Sequence, residues 1–172
     1  MTAELIVLRL VHILGGIFWL GSGLFTSFFL APTLAQAGPA AGPVMAGLQK
    51  RRLFTVLPIV ALLTILSGLR LMWLTSAGFS PAYFASAPGR TYAASGGAAI
   101  VGFLLSVVVA RPAAVRLGSL GGAIAAASDD AARAALAAEL DRLRRRSARA
   151  SVLAVALVVL AGAGMAIARY LR

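Results

Sequence analysis

The stretch Leu10 to Ala31, LVHILGGIFWLGSGLFTSFFLA, decides the fold class because its 22 residues include no charged side chain. A helix needs about 20 apolar residues to cross a hydrocarbon core about 30 Å thick. Only helices and closed barrels satisfy their backbone hydrogen bonds there without water. The stretch also exceeds the roughly 7–15 apolar residues of a signal peptide. We therefore predict a retained membrane-spanning helix over 10–31 that ends at Pro32.

Three further stretches have the same apolar character and cover residues 53–74, 91–110 and 150–168, with Arg70 near the end of the first of them. The whole chain is 60% hydrophobic and 12% charged, with a mean hydropathy of +0.93. Soluble domains carry about 25% charged residues, so this composition excludes a soluble domain. The absence of cysteine excludes disulfides, thiolate nucleophiles and Fe–S clusters. We predict an all-α, integral membrane four-helix bundle.

Basic residues predict the orientation of this bundle. The segments between spans one and two and between spans three and four lie on the same side, and they hold eleven of the 16 Lys and Arg residues. By the positive-inside rule these segments are cytoplasmic, which places both termini outside, N-out and C-out.

The segments outside the spans predict local structure. A helix is expected to begin near Pro43 and to continue into the second span without a break, with a kink at Pro58. Residues 117–122, LGSLGG, predict a flexible break. A cytoplasmic amphipathic helix is predicted over 128–149, with Ser128 as its N-cap. Its apolar stripe comprises Leu136, Leu140 and Leu143.

His12 is the only histidine and lies near the outer end of the first span, on one helical face with Gly16, Trp19, Gly23 and Thr26. An ionisable residue inside a span suggests a functional site, for example an axial ligand to haem iron or a metal ligand. The alternative is a neutral imidazole that hydrogen-bonds a neighbouring helix. One histidine excludes a bis-histidine haem within a monomer, so a second ligand would come from a methionine, a carboxylate or a second copy. The candidate methionines are Met45, Met72 and Met165. Thioether ligation of copper would suit Met72 or Met165.

Arg70 lies on the same side of the membrane as His12, and Glu4 lies two turns before His12 on the same helical face. The three residues could form a cationic pocket for a carboxylate such as a porphyrin propionate. Its looser rim would comprise Arg9, Arg90, Arg169 and Tyr170. The alternative is an ion pair between Glu4 and Arg70 that anchors helix ends.

Five arginines directly precede the fourth span: Arg142, Arg144, Arg145, Arg146 and Arg149. Their position suggests contact with anionic lipids, or a role in topology alone. We expect no nucleic-acid partner, because no aromatic platform or binding motif accompanies the charge.

Small residues recur at helical spacing in the spans and predict close helix packing. The predicted packing residues are Gly15, Gly16, Gly23, Ala94, Ala98, Gly102, Gly162 and Gly164.

Several short stretches resemble small bacterial four-helix membrane proteins: Leu10-Val11-His12, Trp19-Leu20-Gly21, Lys50-Arg51-Arg52-Leu53 through Pro58, Leu63-Thr64 and Gly68-Leu69. These families are the copper resistance D-like proteins, the HemJ-type protoporphyrinogen oxidases and related uncharacterised families. The resemblance covers about the first 75 residues and implies a bacterial inner membrane protein. It also implies haem b at His12. The third-span lysine of the oxidase family has no counterpart here, so the resemblance implies the fold more strongly than the activity.

The sequence shows no catalytic motif. It therefore predicts a non-catalytic accessory or structural subunit that packs against other membrane proteins or itself. The first alternative is a haem- or porphyrin-linked redox protein that uses His12 with Trp19 and Arg70. A metal or small-molecule permease is the second alternative.

Overall fold

The computed structural model describes residues 3–171, and every regular element within this range is helical. Four of the described helices are long and apolar enough to cross a membrane: Ala3–Gln36, Leu53–Thr75, Ala87–Ile124 and Asp130–Ala168. Each contains one predicted span. The predicted all-α fold with four long apolar helices is therefore confirmed, and it is the architecture of a multi-pass membrane protein.

Eight α-helical segments make up the described chain. They are α1 (Ala3–Phe25), α2 (Ala31–Gln36), α3 (Ala41–Lys50), α4 (Leu53–Thr75), α5 (Pro81–Ala85), α6 (Ala87–Leu104), α7 (Arg111–Ala125) and α8 (Asp130–Ala168). Helix α1 packs mainly on α4, and α6 packs mainly on α8. Smaller contacts between α4 and α6 and between α1 and α8 join these two pairs into a bundle.

Pro32, which was expected to end the first span, and Pro112 both lie within longer helices. A π-helical turn, Thr26–Leu30, precedes Pro32, and a second one, Leu105–Ala110, precedes Pro112. In an α-helix a proline ring clashes with the carbonyl four residues earlier. The wider π turn shifts that carbonyl, and the next N–H bonds five residues back, from Ala31 to Thr26 and from Arg111 to Ser106.

The predicted uninterrupted helix from Pro43 into the second span is wrong. Helix α3 ends at Lys50, and Arg52 adopts a left-handed conformation with φ of 59° before α4 begins. Pro58 lies inside α4 and cannot supply the N–H that the Phe54 carbonyl would accept in a regular helix. The Arg111 Nε–H donates to this carbonyl at 3.0 Å, so the third long helix satisfies a group that proline left free.

Residues 117–122 form part of α7 and not the predicted flexible break. Leu120 is fully buried, and α7 packs along α8. This burial offsets the low helix propensity of the glycines. The Arg116 guanidinium bonds both carboxylate oxygens of Glu139, at 2.9 and 3.3 Å. This bond lowers the pKa of Glu139 and raises the pKa of Arg116.

The segment predicted as a cytoplasmic amphipathic helix over 128–149, leading into the fourth span, corresponds to the first half of α8. The N-cap is Asp129 and not Ser128, because the Asp129 carboxylate accepts the Ala132 N–H at 2.6 Å. At 1.5 Å per residue the 39 residues of α8 span about 58 Å, nearly twice a hydrocarbon core. About half of α8 therefore extends beyond the predicted fourth span.

The interior of the bundle is built from small side chains, while large apolar side chains cover the outside. Ala61, Ala99, Ala154 and Ala161 are buried, and residues such as Leu160 are exposed. This distribution suits a lipid environment, where helices gain association energy from close backbone approach and not from escape from water.

A substitution at Gly102 tests this packing. A Cβ added there would lie 2.9 Å from the Ala154 carbonyl oxygen and 3.1 Å from Val158 Cγ2 on α8. We expect Gly102→Val to lower the free energy of unfolding by about 1–3 kcal/mol, because α6 and α8 must move apart. Unfolding in mixed micelles, followed by circular dichroism, measures the loss. The control is Gly97→Val on the same helix, where an added Cβ meets nothing within 4 Å. Equal stabilities for the two variants would contradict the packing argument.

Candidate functional site at the contact between α1 and α4

His12 connects α1 to α4 through one hydrogen bond. Its Nδ1 lies 2.7 Å from the Thr64 carbonyl oxygen. A carbonyl only accepts, so Nδ1 must carry the proton. In the neutral imidazole this leaves the lone pair on Nε2, the nitrogen that is then available to a ligand.

Two glycines on facing helices make room for this contact. A Cβ on Gly68 would lie 2.6 Å from His12 Cε1, so the ring rests directly on the α4 backbone. A Cβ on Gly15 would collide with the Thr64 hydroxyl oxygen. Each helix thus presents a glycine to a polar side chain of the other, which brings the two backbones close together.

The sequence predicted no role for the hydroxyl residues of α4. Thr64 and Ser67 are buried, with 6% and 5% of their surfaces exposed. The Thr64 hydroxyl donates to the Val60 carbonyl at 2.9 Å, and the Ser67 hydroxyl contacts the Leu63 and Thr64 carbonyls at 2.7 and 3.0 Å. Two hydroxyls three residues apart, followed by glycine, are the signal that marks this face of a mostly apolar helix.

Glu4 of α1 and Arg70 of α4 form an ion pair, about two helical turns before His12 along α1. Arg70 Nε and one Nη each lie 2.8 Å from the same carboxylate oxygen, and both side chains are about half exposed. The structure therefore shows the ion pair between helix ends, which the sequence left open as the alternative to a cationic pocket. Among residues 3–171 no hydrogen bond joins this pair to His12. Two residues of the predicted rim bond locally, Arg90 to the Ala85 carbonyl and Arg169 to Tyr170.

The predicted face of α1 points into the bundle but contacts three different helices. Trp19 packs edge-on against Phe103 of α6, with ring centroids 6.3 Å apart. A Cβ on Gly23 would lie 3.1 Å from Val155 Cγ2 on α8, and one on Gly16 would lie 3.8 Å from Thr64 Cγ2. Trp19 thus contacts α6, whereas His12 contacts α4.

The packing residues predicted for the third and fourth spans occupy different environments. Gly102 is buried, Ala98 is half-buried and Ala94 is exposed. The buried stripe of α6 also contains Ser95 and Ala99. On α8, a Cβ on Gly164 would collide with the Ser95 hydroxyl, and one on Gly162 would lie 4.0 Å from Leu20 Cδ2.

The surroundings of His12 do not fit a haem held by one chain. The structure shows a shallow, open depression beside residues 148–156 and a cavity of about 70 Å³ between α3, α4 and α7, and His12 lines neither. Met72 Cε would lie 3.7 Å from a Cβ on Gly96 of α6, and Met45 lines the smaller cavity. Among the described residues no group of three His, Asp or Glu side chains is arranged for a metal ion.

The five arginines of the predicted lipid contact, Arg142, Arg144, Arg145, Arg146 and Arg149, are all exposed on α8. The ion pairs within residues 3–171 join Arg70 to Glu4, Arg116 to Glu139 and Arg133 to Asp130, and so involve none of these five.

His12→Phe is expected to lower the free energy of unfolding by about 1 kcal/mol, because it keeps a ring on Gly68 but removes the Nδ1–H donor. Unfolding in mixed micelles gives this value, and nitrogen NMR of the labelled imidazole reports the proton on Nδ1. Leu14→Phe, at an exposed position of α1, serves as the control. Unchanged stability in His12→Phe, or a proton found on Nε2 alone, would contradict the assigned contact.

Comparison of the chain with protein-family models, with curated proteins and with solved structures finds no match. The resemblance to copper resistance D-like proteins and HemJ-type oxidases therefore stays a prediction based on short motifs of the first two spans.

Proposed function

We propose that this chain is a non-catalytic integral membrane protein, an accessory or structural subunit that packs against other membrane proteins or a second copy of itself. One observation carries the proposal. Among the described residues, every buried side-chain nitrogen or oxygen already has a hydrogen-bond partner. The polar side chains between α1 and α4 make their bonds to the facing helix, and this use of polar groups for packing is what we expect of a structural subunit.

The outward face of α1 supports this proposal. Helix α1 contains no buried residue, and Phe18 and Phe25 are about half exposed. Gly21 lies on the same exposed surface, and a Cβ there would meet nothing within 4 Å. An exposed glycine inside a span lets a neighbouring helix approach closely, so this face suits a protein partner.

The charge distribution supports an orientation for the subunit. Eleven of 16 basic residues lie in the segments 32–52 and 111–149, which would be cytoplasmic by the positive-inside rule. We place the protein N-out and C-out in a bacterial inner membrane. Helix α7 and the part of α8 up to residue 149 are then cytoplasmic, next to anionic lipid headgroups.

Gly21→Ile tests the subunit proposal. A Cβ there meets nothing within 4 Å, so we expect the variant to fold normally but to lose a partner that packs on α1. We expect chemical cross-linking in native membranes to capture a partner with the wild type and several-fold less of it with Gly21→Ile. Gly97→Ile, at an open glycine of α6, is the control. A wild-type chain that is monomeric and yields no cross-linked partner in native membranes would contradict the proposal.

A second candidate function, a haem-linked redox protein, is favoured by the hydrogen bond that fixes the His12 ring. Ligating histidines commonly donate their other ring N–H to a carbonyl or carboxylate, as His12 does to Thr64. Because one chain does not fit a haem at His12, the group would have to be shared between copies. Absorption spectra of protein purified in mild detergent test this. A Soret band that is lost in His12→Ala supports the second candidate, and colourless wild-type protein contradicts it.

A further inference from the structure

The outward face of α8 changes from cationic to apolar along one stripe. With 100° per residue, Arg142, Arg145 and Arg146 all lie within about 60° of Arg149 around the helix axis. Val152, Leu153 and Ala156 lie within the same sector and are exposed. The buried residues of α8 lie on the other side, at least about 100° away. They are Ala150, Ala154, Val155, Val158, Ala161 and Ala168.

A groove lies where the stripe changes character. It is shallow and open, and it is lined by Ala148, Arg149, Val152, Leu153 and Ala156 of α8. Apart from the Arg149 head group, its lining is almost wholly apolar. The exposed stripe continues to Leu160, about 16 Å beyond Arg149, which is close to the thickness of one leaflet.

The arginines of the stripe are exposed, and the ion pairs within residues 3–171 lie elsewhere. Their guanidinium groups are therefore available to an anion, and a guanidinium binds phosphate through two parallel hydrogen bonds. An anionic headgroup above an acyl chain matches the order of charges and apolar groups along α8.

We propose that this face of α8 binds one anionic phospholipid. Arg145 and Arg149 contact its phosphate, and the groove at Val152, Leu153 and Ala156 holds part of one acyl chain. The inference rests on the proposed membrane placement, which sets the Arg149 level of α8 at the headgroups. Arg144 lies about 140° away from Arg149 around the helix and has no part in the site.

The test is native mass spectrometry of the full chain in a charge-neutral detergent, with added phosphatidylglycerol or phosphatidylcholine of the same acyl composition. We expect one retained phosphatidylglycerol and several-fold weaker retention of phosphatidylcholine. Arg149→Gln should weaken phosphatidylglycerol binding about fivefold, and Arg145→Gln with Arg149→Gln should weaken it further, since each basic residue near an anionic surface contributes about that factor. Arg144→Gln carries the same charge change and should bind as the wild type.

Ala156→Trp tests the acyl-chain groove without changing any charge. It should fill the groove and lower the retention of phosphatidylglycerol, whereas Ala166→Trp, at an exposed position outside the stripe, should not. Circular dichroism checks that the variants remain helical.

Three results would overturn the lipid site: equal retention of both lipids, a loss in Arg144→Gln as large as in Arg149→Gln, or full binding by Ala156→Trp. Cross-linking through the α1 face is a separate measurement. Lipid preference without any partner contradicts the subunit proposal alone, and partner capture without lipid preference contradicts the lipid site alone.

Discussion

A polar group inside a hydrocarbon core must find its hydrogen-bond partner within the protein, because no water is available and each unsatisfied group costs several kcal/mol. This constraint explains the polar contacts of the bundle. The His12 Nδ1–H is satisfied by the Thr64 carbonyl, and the carbonyl that Pro58 leaves free on Phe54 is satisfied by Arg111. Both bonds connect different long helices, so satisfying the polar groups also holds the bundle together.

Close approach of the helices follows from the same contacts. A hydrogen bond from a side chain to the backbone of a neighbouring helix requires the two helices to lie close together. The residue that faces this side chain must therefore be small. Gly68 meets this need beneath His12. Gly102 allows a similarly close approach to the Ala154 carbonyl of α8, without such a hydrogen bond. The interior is thereby filled by small side chains and backbone, which supports a packing role more readily than an enclosed substrate site.

The long helices extend the bundle beyond the predicted spans. The π turns before Pro32 and Pro112 let the first and third long helices continue past positions that would end an ordinary α-helix. Helix α8 continues without interruption from the arginine-rich segment into the buried core. The basic surface that we assign to lipid is thus rigidly connected to the helix whose other side packs on α6.

The sequence by itself determined the four apolar helices, because segment length and hydropathy follow directly from composition. It also predicted that His12, Glu4 and Arg70 lie near the same end of the bundle. Bonding of these residues to a neighbouring helix was one of the two interpretations that the sequence left open. Only the tertiary structure decided that the His12 partner is a backbone carbonyl, which has no signature in the side-chain pattern. It likewise decided that α7 stays helical through its glycines, because the burial of Leu120 against α8 is a long-range contact. Local propensity at 117–122 points the other way, and packing outweighs it.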